Sequence, residues 1–155
     1  LLQPRLWRWL ATIERPEQTR FEMVTNGTRD PRPYRDVMMR FRERVIFVSV
    51  DGIGERAAEL RRGTDWDRVQ QTVQELQSWP GTYTAVICTV YRDNIQDTMA
   101  VQQWASQRGM DVIWNFLEQP EHLTLAHVPQ AVRDGLDKAQ LPKQVRLALD
   151  STQEK

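Results

Sequence analysis

The sequence predicts an α/β fold, a parallel sheet of four strands with helices outside it. Three observations lead there. Strand-like apolar runs alternate with stretches of helical periodicity along most of the chain. The run Val45-Ile46-Phe47-Val48-Ser49-Val50 is almost continuously apolar and rich in β-branched residues, which predicts a strand covered on both faces. That run stops abruptly at Asp51-Gly52-Ile53, a carboxylate and a glycine at a strand's C-terminal end, where parallel α/β folds bind ligands.

Each element has its own signal. Leu6, Trp7, Leu10 and Ile13 recur on one helical face. Phe21-Glu22-Met23-Val24-Thr25 is the first strand. Pro33 can open a second helix in which Val37, Met38, Phe41 and Val45 recur at helical spacing, and the run from Val45 to Val50 is the second strand. Thr64-Asp65-Trp66-Asp67 has the form of a capping box: the Thr64 hydroxyl serves an exposed amide, and the Asp67 charge suits the helix N-terminus. Trp66, Val69, Val73 and Leu76 then form a buried stripe, closed by Pro80-Gly81. Tyr83 to Val90 reads as the third strand. Asn94 can cap the next helix, with Ile95, Met99 and Gln102-Gln103, ending at Arg108-Gly109. Asp111 to Leu117 is the fourth strand. Beyond Pro120, Val128-Pro129 leads into a short helix around Val132 and Leu136, and Pro142 allows a last one with Val145 and Leu149. Crossovers between the strands should be right-handed. The polar tail from Ser151 to Lys155 is expected to fray.

Bulk properties narrow the function classes. Lysine plus arginine (21) equals aspartate plus glutamate (21), so no net charge draws the chain to nucleic acid or an acidic membrane surface. No stretch approaches the roughly 20 apolar residues of a membrane helix. No secretory leader opens the sequence. With a single cysteine, Cys88, the chain cannot form an internal disulfide or a multi-cysteine metal site by itself. A reducing, cytoplasmic setting is the expectation. A start at Leu1-Leu2-Gln3-Pro4 without an initiator Met leads us to expect a piece of a longer protein.

Ser49 and Asp51 are two apart and point to the same side of a strand, a donor and an acceptor for a ligand hydroxyl. Asn26-Gly27 is a strong turn former whatever else it does. Thr89, Tyr91 and Asn115 fall at or near the ends of later strands and read as core or rim. Glu118, His122 and His127 show no recognised ligand spacing and are taken as an incidental grouping. Cys88, inside an apolar strand, reads as a buried small hydrophobe. Among six tryptophans, Trp66 is expected in the core, whereas Trp9 and Trp79 are expected to be partly exposed.

Three segments in order also resemble a known family. Thr25-Asn26-Gly27-Thr28, then Val48-Ser49-Val50-Asp51-Gly52-Ile53, then Glu59-Leu60-Arg61-Arg62-Gly63-Thr64-Asp65-Trp66 are similar to the middle and later part of the barrel of radical S-adenosylmethionine (SAM) enzymes, those with a SPASM or twitch extension. There "TNG" ends the third strand, "S-x-DG" ends the fourth, and "R-x-G" precedes the helix leading to the fifth. Leu117-Glu118-Gln119-Pro120 together with His127-Val128-Pro129 is similar to the exit from the sixth strand. The resemblance spans Leu1 to Pro129. It implies strands three to six of an open (β/α)6 partial barrel over 1–128, with a helical extension over 129–155.

The resemblance further implies cofactors and roles. SAM would be held through its ribose by Ser49 and Asp51 and through its carboxylate by Arg61, with Arg62, one residue on, as competitor. Asn26 would lie near the cofactor or substrate, and Leu117 against the adenine. The family's CxxxCxxC loop for a [4Fe-4S] cluster and its "GGEP" segment are absent. Leu1-Leu2-Gln3-Pro4 looks like the residues directly after "GGEP" in the family, so the cluster ligands are not in this chain and the expectation is a partial enzyme. The complete form would generate a 5′-deoxyadenosyl radical. Its substrate, a peptide or other large molecule in many twitch relatives, is not selected by anything here. Two rival readings stand: another parallel-barrel enzyme with Asp51 and Glu118 as paired carboxylates, and a non-catalytic barrel remnant. An exposed sheet edge along the Phe21 strand is expected to make the isolated chain self-associate.

Overall fold

The computed structural model describes residues 4–152. Its four strands are β1 (Arg20–Thr25), β2 (Glu43–Ser49), β3 (Thr82–Val90) and β4 (Val112–Phe116), within about two residues of the sequence reading at each end. They form one parallel sheet in the order β1-β2-β3-β4, so β1 and β4 are its edges. Seven helices accompany them among the described residues: α1 (Pro4–Leu10), α2 (Arg35–Met38), α3 (Glu55–Leu60), α4 (Trp66–Gln77), α5 (Thr98–Ser106), α6 (Gln130–Gly135) and α7 (Lys143–Asp150). None is long and apolar enough to cross a membrane. The chain divides into two compact units. One runs to Ser49 and takes in Thr64–Ala85; the other comprises Val50–Gly63 and everything from Val86 onward.

In the first unit β1 pairs with β2 in register from Arg20↔Glu43 to Thr25↔Val48. Aligned residues of a parallel pair share a face, so burial reads out the cover directly. Phe21, Thr25, Ile46 and Val48 are buried. On the opposite face Val24 is 59% exposed, and Val45, Phe47 and Ser49 are half-buried. The expected two-sided cover of the 45–50 run is therefore wrong on one face. An apolar run does not by itself distinguish a covered face from an open one.

The core of this unit draws on Met38, Phe41, Val69, Val73, Leu76 and Trp79, all nearly solvent-free. Trp7 stacks on Tyr34 at 4.4 Å between centroids, and Phe21 meets Phe41 at 5.2 Å. Trp79 is thus core rather than partly exposed, and its indole N–H is satisfied by Glu75 Oε1 at 2.9 Å. Trp66 is only half-buried, whereas Trp9 is open to solvent at 61%. The first helix stops at Leu10, leaving Ile13 outside it and Leu6 exposed. The second shrinks to a 3-10 turn (Arg32–Tyr34) and the four residues of α2. Phe41 and Val45 kept the helical period by coincidence, since Val45 already lies in β2.

Gly27 shows why the "NG" turn after β1 must be glycine. Its φ is +71°, and a Cβ there would sit 3.1 Å from Val48 Cγ1 and 3.3 Å from Val69 Cγ1. Arg44 is a buried cation that sequence reading passed over. Its guanidinium donates to the carbonyls of Phe41 and Pro80 and, from Nε, to Thr82 Oγ1 at 3.1 Å, which satisfies its donors without solvent.

In the second unit the end of β3 pairs with β4 from Val86↔Val112 to Val90↔Phe116. Cys88 and Val90 are buried on one face, while Ile113 and Asn115 are exposed on the other and Thr89 is half-buried. Ile95, Val101, Ala105, Val145 and Leu149 complete this core. Arg133, in α6, is buried and donates to Val128 O (3.1 Å), Leu125 O (2.6 Å) and Thr152 Oγ1 (3.2 Å), binding the segment after Pro120 to the end of α7. Thr152 is thereby held, and the rest of the polar tail, residues 153–155, lies outside the described residues.

The cap of α4 differs by one residue from the sequence reading. Asp65, not Thr64, is the N-cap, and its Oδ1 accepts the Arg68 N–H at 3.1 Å. Both residues are good caps, so the choice falls to backbone geometry: Asp65 has the extended dihedrals a cap requires. Replacing Asp65 with alanine is expected to lower stability by about 1 kcal/mol in urea unfolding. Thr64→Ala should cost clearly less, and the reverse order would return the cap to Thr64.

Candidate functional site

The site grows out of the sharp exit from β2. Past Ser49 the chain turns through Asp51-Gly52 into α3, and Gly52 is what lets it pass. A Cβ at that position would stand 2.6 Å from Leu60 Cδ1 and 3.3 Å from Arg56 Cβ. The tight return sets Arg61, the residue closing α3, against Asp51: Arg61 Nε lies 2.9 Å from Asp51 Oδ2. The other carboxylate oxygen, Oδ1, accepts the Thr89 backbone N–H at 2.9 Å. Asp51 is 8% exposed, and these two donors stand in for the water it has lost. Arg61 keeps 39% of its side chain in solvent.

A second layer fixes this arrangement. Asn94 is fully buried. Its Oδ1 accepts the Tyr91 N–H at 2.8 Å, and its Nδ2 donates to Thr89 O at 2.9 Å and Asp51 O at 3.2 Å. The sequence suggested a helix cap, and Asn94 does precede a 3-10 turn (Ile95–Asp97) that leads into α5. Its side chain, however, makes no capping bond and reaches across to the residues after β2 instead. From α3, Arg56 grips the same loop. It pairs with Asp97 (Nε–Oδ1 3.2 Å, Nη2–Oδ2 3.0 Å), donates to Asp93 O at 3.0 Å and meets Glu59 at 2.6 Å. The Asp97 carboxylate first, then Glu59, push the Arg56 guanidinium further up its basic range.

The titratable neighbours respond to burial. The Cys88 thiol is driven strongly upward by burial, and the charges of Asp51 and Asp97 add to this. The Tyr91 hydroxyl is raised by burial first and by the Asp51 carboxylate next. Both groups therefore stay protonated beside the Asp51 anion at neutral pH.

Of the residues singled out from sequence, the structure brings Asp51 and Arg61 together, with Thr89 and Tyr91 beside them. Arg61 rather than Arg62 makes the ion pair. Ser49 ends β2, half-buried, in the other unit. Asn26 also lies in that unit, exposed, with its Oδ1 turned back to Thr28 N (3.2 Å) and Oγ1 (2.9 Å). Leu117 is half-buried just past β4, its N–H on Val90 O at 3.0 Å, and Glu118 beside it is exposed. His127 Nδ1 faces Thr124 Oγ1 at 3.4 Å, while His122 offers its carbonyl to Arg92. Among the described residues no group of three or more His, Cys, Asp or Glu side chains is placed to hold a metal.

A separate polar cleft of about 330 Å³ lies in the first unit, between Asp30, Pro31 and Arg32 and the outer face of α4, lined by Arg68, Thr72 and Glu75 among others. Two of its charges face each other: Arg32 forks onto Asp30 at 2.7–3.0 Å and holds that carboxyl down at about 2. None of the sequence candidates lines it.

Chemically, the Asp51–Arg61 pair suits a polar ligand that carries hydroxyls and an anion. No protein-family model matches the chain, and no curated protein matches it either. The site therefore rests on its own geometry and on the motifs read from the sequence.

Burial of Cys88 gives a direct check on the core beneath this site. A neutral, enclosed thiol is not a nucleophile, so a disulfide reagent at pH 8 should modify Cys88 only as the chain unfolds, with rates that track the urea transition. Rapid modification of the folded chain would mean that the strand beside Asp51 is open.

Proposed function

We propose that this chain is part of a radical SAM-type barrel, and that its share of the work is to hold SAM through the ribose hydroxyls and the carboxylate. One observation carries the reading: Asp51 and Arg61, distant in type and ten residues apart, meet at 2.9 Å beyond the C-terminal end of β2. That is where a parallel sheet presents ligand-binding loops. Asp51 supplies acceptors for vicinal hydroxyls. Arg61 supplies a planar donor fork suited to a carboxylate. Ser49 is assigned to the ribose as well, Asn26 to the neighbourhood of the cofactor or substrate and Leu117 to the adenine, on the strength of the motifs.

The residues here do not fit a [4Fe-4S] cluster. Such a cluster needs several thiolates, and the chain has one cysteine, buried and protonated. In the complete enzyme the cluster would sit on cysteines outside this sequence and would supply the electron that cleaves SAM for hydrogen abstraction from the substrate. The rival reading, with Asp51 and Glu118 as an acid–base pair, finds less support. Both Asp51 oxygens already face donors, Thr89 N–H and Arg61, and Glu118 is solvent-exposed.

Titration calorimetry with SAM and with methylthioadenosine, which has the ribose and lacks the carboxylate, tests this. SAM is expected to bind saturably. Arg61→Ala should weaken SAM by roughly tenfold, the worth of one charge-assisted pair, and leave methylthioadenosine unchanged. Asp51→Asn should weaken both. Absence of saturable SAM binding, or equal losses for both ligands in Arg61→Ala, would overturn the assignment.

A further inference from the structure

A carboxylate that reads ligand hydroxyls must be held in direction as well as in place, because a hydrogen bond weakens steeply as its angle closes. Asp51 lies outside any regular element, two residues beyond β2, so no ladder of backbone bonds aims it. Two links do. Its Oδ1 takes the Thr89 N–H, and its carbonyl takes Asn94 Nδ2, while the same Nδ2 also holds Thr89 O. Asp51 and Thr89 are thus joined twice, once directly and once through Asn94. The Oδ1 of Asn94 closes the far side of the loop on the Tyr91 N–H. Three of the four hydrogen bonds an amide side chain can make are formed, with no exposure to solvent. A merely turn-forming asparagine would bond to its own neighbours; this one spans 43 residues of sequence to reach Asp51.

We infer that Asn94 is the positioning residue for the ligand site: it aims Asp51 at the ligand's ribose hydroxyls without touching the ligand. This rests on the SAM reading of Asp51 given above. Only a side-chain amide combines the requirements, and glutamine would carry it one methylene further out. The group must accept from one backbone amide and donate to two carbonyls at once, within a space that admits no water. Aspartate keeps the acceptor and loses the donors. Serine offers a single donor on a shorter arm.

The test compares SAM with its 2′,3′-dideoxy analogue on the full chain, in the parent protein and in Asn94→Asp, Asn94→Ser and Asp51→Asn. Folding of each is checked by circular dichroism and amide spectra. The parent should prefer SAM over the analogue. Both Asn94 variants should lose roughly tenfold in SAM affinity, about one charged-group hydrogen bond, while their affinity for the analogue stays where it was. Combined with Asp51→Asn, neither should lose more than Asp51→Asn alone, the non-additivity of residues that act through one group. A merely structural role would weaken SAM and analogue alike, and that result overturns the inference while leaving the SAM reading intact. A parent chain that binds neither ligand overturns both. Should the variants unfold, the parent alone still decides: the Thr89 amide should exchange hydrogen more slowly with SAM than with the analogue, and equal protection refutes the positioning role.

Discussion

A carboxylate removed from water has to be met by donors, and at Asp51 that single demand organises the residues around it. With 8% exposure it needs the Thr89 amide on one oxygen and the Arg61 guanidinium on the other. To supply Arg61, the chain must double back within ten residues, which is why Gly52 faces Leu60 and Arg56 so closely and why α3 is only six residues long. To supply Thr89 in the right place, β3 must end level with the turn after β2. The Val50 N–H, donating to Ile87 O at 2.9 Å, keeps that alignment. Donors on both oxygens offset the water this carboxylate has lost.

The strands were legible because each is an apolar run with a clear stop, and a stop at a carboxylate or an asparagine is hard to miss. Faces and caps were less so. Val45 and Phe47 look as core-like in sequence as Ile46 and Val48, yet half of that set lines an open face. Apolar content records what a position tolerates, whereas cover depends on which helices arrive. Thr64 and Asp65 are both competent caps, and only dihedral angles choose between them. Trp79 looked exposed because it comes after the helix end, but a turn folds it under, where Glu75 satisfies its N–H. Asp51 and Arg61 stand in the sequence as separate candidates, Arg61 only through the family resemblance. Their pairing with each other is not legible there, because nothing in the spacing between residues 51 and 61 says that the intervening turn is so tight. Asn94 was misread for a related reason: the amide that serves a cap locally is the same amide that bridges two distant carbonyls.

Nearness of Asp51 and Arg61 also bears on how a ligand would enter. If both contact the same ligand, its carboxylate competes with Asp51 for one guanidinium. The two partners are unequal. Arg61 is 39% exposed, and an ion pair with one partner that wet contributes only about 1 kcal/mol. Asp51 is enclosed and is also held by the Thr89 N–H. The asymmetry makes Arg61 the adaptable partner and Asp51 the fixed one. Under the proposed SAM role, a fixed acceptor would select hydroxyls by geometry, and the more exposed cation would meet the ligand's charge. The same asymmetry explains why the loop after β3 carries so many constraints, from Asn94, Arg56 and Asp97, while the guanidinium itself is left at the solvent boundary.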